Sequence, residues 1–114
     1  LQEPLEAKEL RMKILAEDFQ DYGGRLIEAL GEYAKGQPGW QIEPNNYEGI
    51  RVRFDKGEGD GWFLLRLSLH DPIIPLNIES NTQGGVKQIA GKLYPFVAAY
   101  EQLDSACLKE EVQG

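Results

Sequence analysis

Ile50, Val52 and Phe54 alternate with Arg51 and Arg53, and after the glycine-punctuated segment 55–61 a second apolar run begins at Trp62. A period of two puts one side of a strand into a core and the other outward. The joining segment, Asp55-Lys-Gly-Glu-Gly-Asp-Gly61, carries glycines that supply the positive φ a reversal needs. Strands joined by so short a loop must run antiparallel. The centre of the chain is therefore committed to an antiparallel sheet, and the flanking sequence has to cover it.

The flanks read as follows. Leu10, Met12 and Ile14 alternate with Arg11 and Lys13, predicting a strand over 9–15, although the preceding Glu6-Ala-Lys-Glu9 suits a helix equally well. Between Glu17 and Lys35, Phe19, Tyr22, Leu26, Ile27, Leu30 and Ala34 recur at three and four, placing them on one helix face. Asp18 suits the N-cap and Gly36 the stop, while Gly23-Gly24, at about 1 kcal/mol each, predict irregular first turns. Gln37-Pro-Gly39 signals a turn, Trp40 and Ile42 a short strand ended by Pro44-Asn-Asn46. Trp62 to Leu67 and Ile73 to Ile78 are two further strands. A second helix starts from a cap at Asn81 or Thr82 and carries Val86, Ile89, Leu93, Phe96, Val97, Tyr100 and Leu103, with a kink or break expected at Pro95. Residues 105–114 turn polar and read as a frayed tail. Strand, helix, four strands, helix defines an α+β fold, an antiparallel sheet with both helices packed on one face.

At 114 residues this is one domain, without room for a two-domain catalytic cleft. The net charge of −7 disfavours nucleic acid and anionic lipid as partners. A small anion stays open, because a few convergent donors act within a Debye length of about 8 Å whatever the total charge. The sequence has neither a spanning apolar run nor a signal-peptide pattern, and its single Cys107 fits a reducing cytoplasm. A start at Leu1 rather than Met suggests a piece of a larger protein. Glu3, Glu6, Glu9, Glu17 and Asp18 are scattered, so no metal site is expected, and one histidine with no named partner makes no catalytic triad.

The segment richest in chemistry is Gly61-Trp-Phe-Leu-Leu-Arg-Leu-Ser-Leu-His-Asp-Pro72. Arg66 interrupts an apolar strand, and its planar fork of donors suits a phosphate bidentately. Ser68 and free N–H groups of the following turn, that of Leu69 among them, would complete an anion nest. The competing reading has Arg66 snorkelling at the strand edge and Ser68 merely opening the turn. His70 is either a solvated loop histidine or a third donor. Asp71 would repel a phosphate and is assigned to holding the turn, which Pro72 closes. Gly57-Glu-Gly-Asp-Gly61 superficially looks like a phosphate loop, but it joins strand to strand and lacks the lysine and helix N-terminus such loops need.

Tyr47-Glu-Gly-Ile-Arg-Val-Arg-Phe54, the glycine hairpin, Gly61-Trp-Phe-Leu-Leu-Arg66, Leu67-Ser-Leu-His-Asp-Pro72 and Pro75-Leu-Asn-Ile-Glu79 together resemble the C-terminal domain of the phosphomannomutase and phosphoglucomutase family. The resemblance covers essentially the whole chain and implies a TBP-like β-α-β4-α arrangement. It makes Arg66 the phosphate-binding arginine, Ser68 its hydroxyl donor and Pro72 the residue that closes the loop. Leu69 and His70 depart from the family's Asn or Gly followed by Thr, so one side-chain donor is lost and another becomes an imidazole. The resemblance further implies an enzyme that interconverts hexose 1-phosphate and hexose 6-phosphate through a hexose 1,6-bisphosphate. Its phosphoserine and Mg²⁺ site lie in domains outside this sequence, so the partners are a hexose phosphate and three other domains, and the isolated chain is expected to be inactive. The alternatives are a phosphoglucosamine mutase domain, or a free-standing α+β module that binds a metabolite or protein.

Overall fold

The computed structural model describes residues 3–44 and 49–114, so the Asn45-Asn46 turn signal and the Tyr47-Glu48 start of the motif lie outside the described residues. The chain runs β1 (Glu6–Ile14), α1 (Phe19–Lys35), β2 (Gln41–Ile42), β3 (Gly49–Phe54), β4 (Gly61–Arg66), β5 (Ile73–Ser80), α2 (Gly85–Ala98), β6 (Leu103–Asp104) and α3 (Ala106–Gln113). The strands form one antiparallel sheet in the order β2-β3-β4-β5-β1-β6. The hairpin read from the alternation closes with Phe54 opposite Gly61. The Glu6–Glu9 stretch, which suited either state, is strand, because Glu6 through Lys13 all find partners along β5.

One face of the sheet is the core. Met12, Ile14, Ile50, Val52, Phe54, Phe63, Leu65, Ile74, Leu76 and Ile78 are buried there beneath Leu26 and Leu30 of α1 and Ile89, Leu93 and Val97 of α2. Trp40 packs edge-on against both Phe54 and Phe63, closing the core at the β2 end. The intervening residues Arg11, Lys13, Arg51, Arg53, Trp62, Leu64 and Arg66 project to the opposite, open face.

Four expectations are corrected. The first turns of α1 are regular: Asp18 accepts from the Asp21 N–H at 3.2 Å, and buried Gly23 lies where a Cβ would strike Leu67, so its missing side chain lets the helix settle on the sheet. The cap of α2 is neither Asn81 nor Thr82 but Gly84 at φ 81°, and the first turn is held by a strand residue, Glu6, whose carboxylate accepts from Gly84 N at 3.0 Å and Val86 N at 3.1 Å. Ser80 to Thr82 are consumed in the turn before it, where the Ser80 hydroxyl accepts from Thr82 N. The helix is not broken at Pro95 but stops three residues later at Ala98, and Leu103, expected on its face, leaves it to pair with Ile14 as β6.

The fourth correction concerns residues 105–114, which form α3 rather than a frayed tail. β6 pairs only with Lys13 and Ile14, leaving the rest of the outer edge of β1 without a strand. An unpaired edge needs a cover. α3 supplies it, burying Leu108 completely, pairing Glu111 with Lys8 at 3.6 Å and resting Cys107 against the Arg11 carbonyl. Among the described residues no helix is long and apolar enough to cross a membrane.

Candidate phosphate-binding loop

β4 delivers Arg66 to the rim of the sheet, and the chain returns at Ile73. Gly49 stands opposite Arg66, where a Cβ would collide with the Leu65 and Arg66 backbone, so β3 can approach closely only without a side chain. Arg66 is half-buried and projects to the open face. Among the described residues its guanidinium has neither a hydrogen-bond nor an ion-pair partner.

The turn is built from its backbone. The Asp71 N–H donates to Ser68 Oγ at 3.3 Å, and the Ile73 N–H donates to the Asp71 carbonyl at 2.7 Å across Pro72. That three-residue turn is one for which the fixed φ of proline is preset. Asp71 thus holds the turn through its peptide groups rather than its carboxylate. Two further bonds fix the loop to the body: Gln20 Nε2 donates to the Leu69 carbonyl and Ile14 N–H to the Pro72 carbonyl, each at 2.7 Å. Sequence reasoning missed Gln20; a polar residue in the first turn of a helix carries no signal of a partner 49 positions away.

The donors are left outward. Among the described residues, the N–H groups of Ser68, Leu69 and His70 have no protein acceptor, and the His70 imidazole is exposed and unpartnered. Because Ser68 Oγ accepts from Asp71, its own proton stays available to a ligand. The Leu69 side chain is 70 % exposed, so this position contributes its N–H and no side-chain donor. The arrangement suits an anion: one guanidinium fork, one hydroxyl, one imidazole and peptide N–H groups on a single rim. Among the described residues no base accepts a hydrogen bond from Ser68 Oγ, so the hydroxyl is a donor here and not an activated nucleophile.

Other features lie away from this loop. The 55–61 segment is a hairpin docked on the α2 N-terminus, where Gly59 (φ 121°) meets Ile89 and the buried Ser80 hydroxyl donates to the Gly59 carbonyl. A cleft of about 600 Å³ between Glu6, Lys8, Gln83, Lys87 and Glu111 surrounds the Glu6 cap, and a smaller one of about 320 Å³ lies beside Asp55, Lys56, Asp60 and Trp62. Neither touches Arg66 to Pro72.

No protein-family model matches the sequence, and no curated protein matches it. Solved structures do. A phosphoglucomutase/phosphomannomutase family protein from Burkholderia thailandensis superimposes with a TM-score of 0.57 at 20% identity, over 82% of this chain and 18% of that one. The chain therefore has the α+β fold of a segment of such a protein and spans less than a fifth of its length.

Proposed function

We propose that this chain is the substrate-phosphate-binding domain, C-terminal in the intact enzyme, of a cytoplasmic phosphoglucomutase/phosphomannomutase. The supporting observation is the rim of unpartnered donors from Arg66 to His70, carried on a fold shared with a segment of a protein of that family. The intact enzyme would interconvert hexose 1-phosphate and hexose 6-phosphate. A phosphoserine in another domain would give its phosphoryl group to the free sugar hydroxyl, the serine P–O bond breaking as the sugar P–O bond forms. The resulting hexose 1,6-bisphosphate would turn round and return its other phosphoryl group to the serine.

In that cycle this chain's residues would hold the phosphate that is not reacting. Arg66 binds it bidentately, Ser68 and the Leu69 and His70 N–H groups donate to its remaining oxygens, and the His70 imidazole adds a further donor. Such a grip contributes by positioning, which is most of what phosphoryl transfer asks of a protein. Among the described residues no three His, Cys, Asp or Glu side chains converge as a metal site, so they do not fit the Mg²⁺ of the intact enzyme, whose place would be another domain. The three other domains and the hexose phosphate would be the partners.

The test is an NMR titration of the chain with glucose 6-phosphate and with mannose 6-phosphate. The amides of 68–70 should move first, with weak affinity, because the domains that would enclose the sugar are missing; shifts centred on the 55–61 hairpin instead would refute the site.

A further inference from the structure

A phosphate monoester carries about two negative charges at neutral pH, yet the loop holds only one permanently charged cation, Arg66. The rest of the charge is found across the sheet. In the pairing register Arg11 stands opposite Pro75 and Lys13 opposite Ile73. β4 pairs with β5 as far as Leu65–Leu76, so Arg66, the next residue and the last of β4, stands beside Pro75 on the side away from Arg11, and Ser68 lies in the turn beyond it. Arg11, Lys13 and Arg66 lie on the open face, by alternation with buried Met12, Ile14 and Leu65. They border a trough, with Arg66 and the loop it opens on one side, Arg11 and Lys13 on the other, and Pro75 and Ile73 between them. Two interstrand steps make it about 10 Å across at the Cα atoms, within reach of long side chains converging on one anion. Pro75 is buried although it belongs to the open face.

Electrostatics favours the same residues. Four of the five arginines of a chain with net charge −7 lie on this face. Lys13 has no ion-pair partner among the described residues, and its register neighbour Asp104 accepts from the Ala106 N–H. Among the described residues Arg11 pairs only with Glu9, at 3.4 Å and with both side chains exposed, a contact that a phosphate would readily replace. Arg53 is neutralised by Asp55 and Glu43, and the Arg51 guanidinium lies over the Trp62 ring at 4.0 Å, so neither serves this end of the sheet.

We infer that Arg11 and Lys13 of β1 form the second wall of the phosphate site, supplying the charge that Arg66 lacks and selecting dianionic ligands. This rests on the phosphate-binding reading of the loop. The test titrates the chain with inorganic phosphate and with glucose 6-phosphate at low and high salt, comparing the natural protein with Arg11→Gln/Lys13→Gln, Arg66→Gln and the control Lys109→Gln on α3. The double variant should weaken both ligands about three- to fivefold at low salt, the gap narrowing as salt screens the wall. Lys109→Gln should bind as the natural protein does, and Arg66→Gln should lose the loop shifts at every salt concentration. If Arg66→Gln abolishes binding while the double variant matches the natural chain, the second wall is refuted and the loop site stands. If Arg66→Gln binds normally, the loop site itself is refuted, and the wall with it.

Discussion

Single side chains in this protein act at a distance in sequence that no local pattern records. Glu6 belongs to β1 yet caps α2, its two oxygens accepting from Gly84 and Val86 N–H groups where the helix dipole is positive. Those two bonds hold its carboxyl below the ordinary value of 4.5, against a smaller upward push from burial. A carboxyl depressed by folding stabilises the native state above its unfolded pKa, and that contribution is lost as pH falls through the lower folded value. Glu6→Gln keeps one acceptor but no charge, so it should cost about 1 kcal/mol at pH 7. Urea unfolding at pH 7 and pH 3 checks this: the gap between the two proteins should shrink at pH 3, and an unchanged gap would show that the cap does not depend on charge. Arg66 shows the same limit from the other side. Its place in an apolar strand was legible and so was the loop it opens, but Gln20 and Ile14, which set the pose of that loop, are legible only once α1 and β1 are in place.

At the level of elements, glycine marks which contacts are tight and which are incidental. Gly24 lies inside α1 with nothing within 4 Å of where a Cβ would stand, so Gly24→Ala should raise stability by about 0.5–1 kcal/mol through helix propensity and a less flexible unfolded chain. Gly85 opens α2 against Ser80 and Gly59, and Gly85→Ala would drive a methyl into a hydroxyl and a carbonyl 2.5 Å away. It should cost about 2–3 kcal/mol. Thermal unfolding of the two variants should therefore move Tm in opposite directions. α3 carries its own prediction: Leu108 is fully buried, and Leu108→Ala should lose about 2–5 kcal/mol, as only a packed helix and not a frayed tail would. A Tm unchanged by that substitution would refute the packing of α3. The sequence hid this helix because its apolar residues are few, Cys107, Leu108 and Val112, and they read as polar-tail noise until the bare edge of β1 is seen.

The whole molecule displays donors on one rim of a sheet, Arg66 to His70. Incubated with glucose 1-phosphate and Mg²⁺ in a coupled assay, the pure chain should show no isomerisation; turnover would overturn its reading as a binding domain. What the sequence determined alone was what repeats locally: the two-residue period of the strands, the three-to-four spacing of the helices, the glycine hairpin and the arginine that opens a proline-closed turn. Each depends on neighbours a few positions apart, so the order of elements from β1 to α2 and the candidate loop could be read directly. The tertiary structure decided what depends on elements meeting: the strand order β2-β3-β4-β5-β1-β6, the cap lent by Glu6 to α2, the edge that made a helix of residues 106–113, and the register that sets Arg11 and Lys13 across Pro75 and Ile73 from the loop. A backbone N–H, a bare strand edge or a second charge is satisfied by whatever lies nearest in space, and proximity between residues as far apart as Glu6 and Val86 exists only after the sheet has formed.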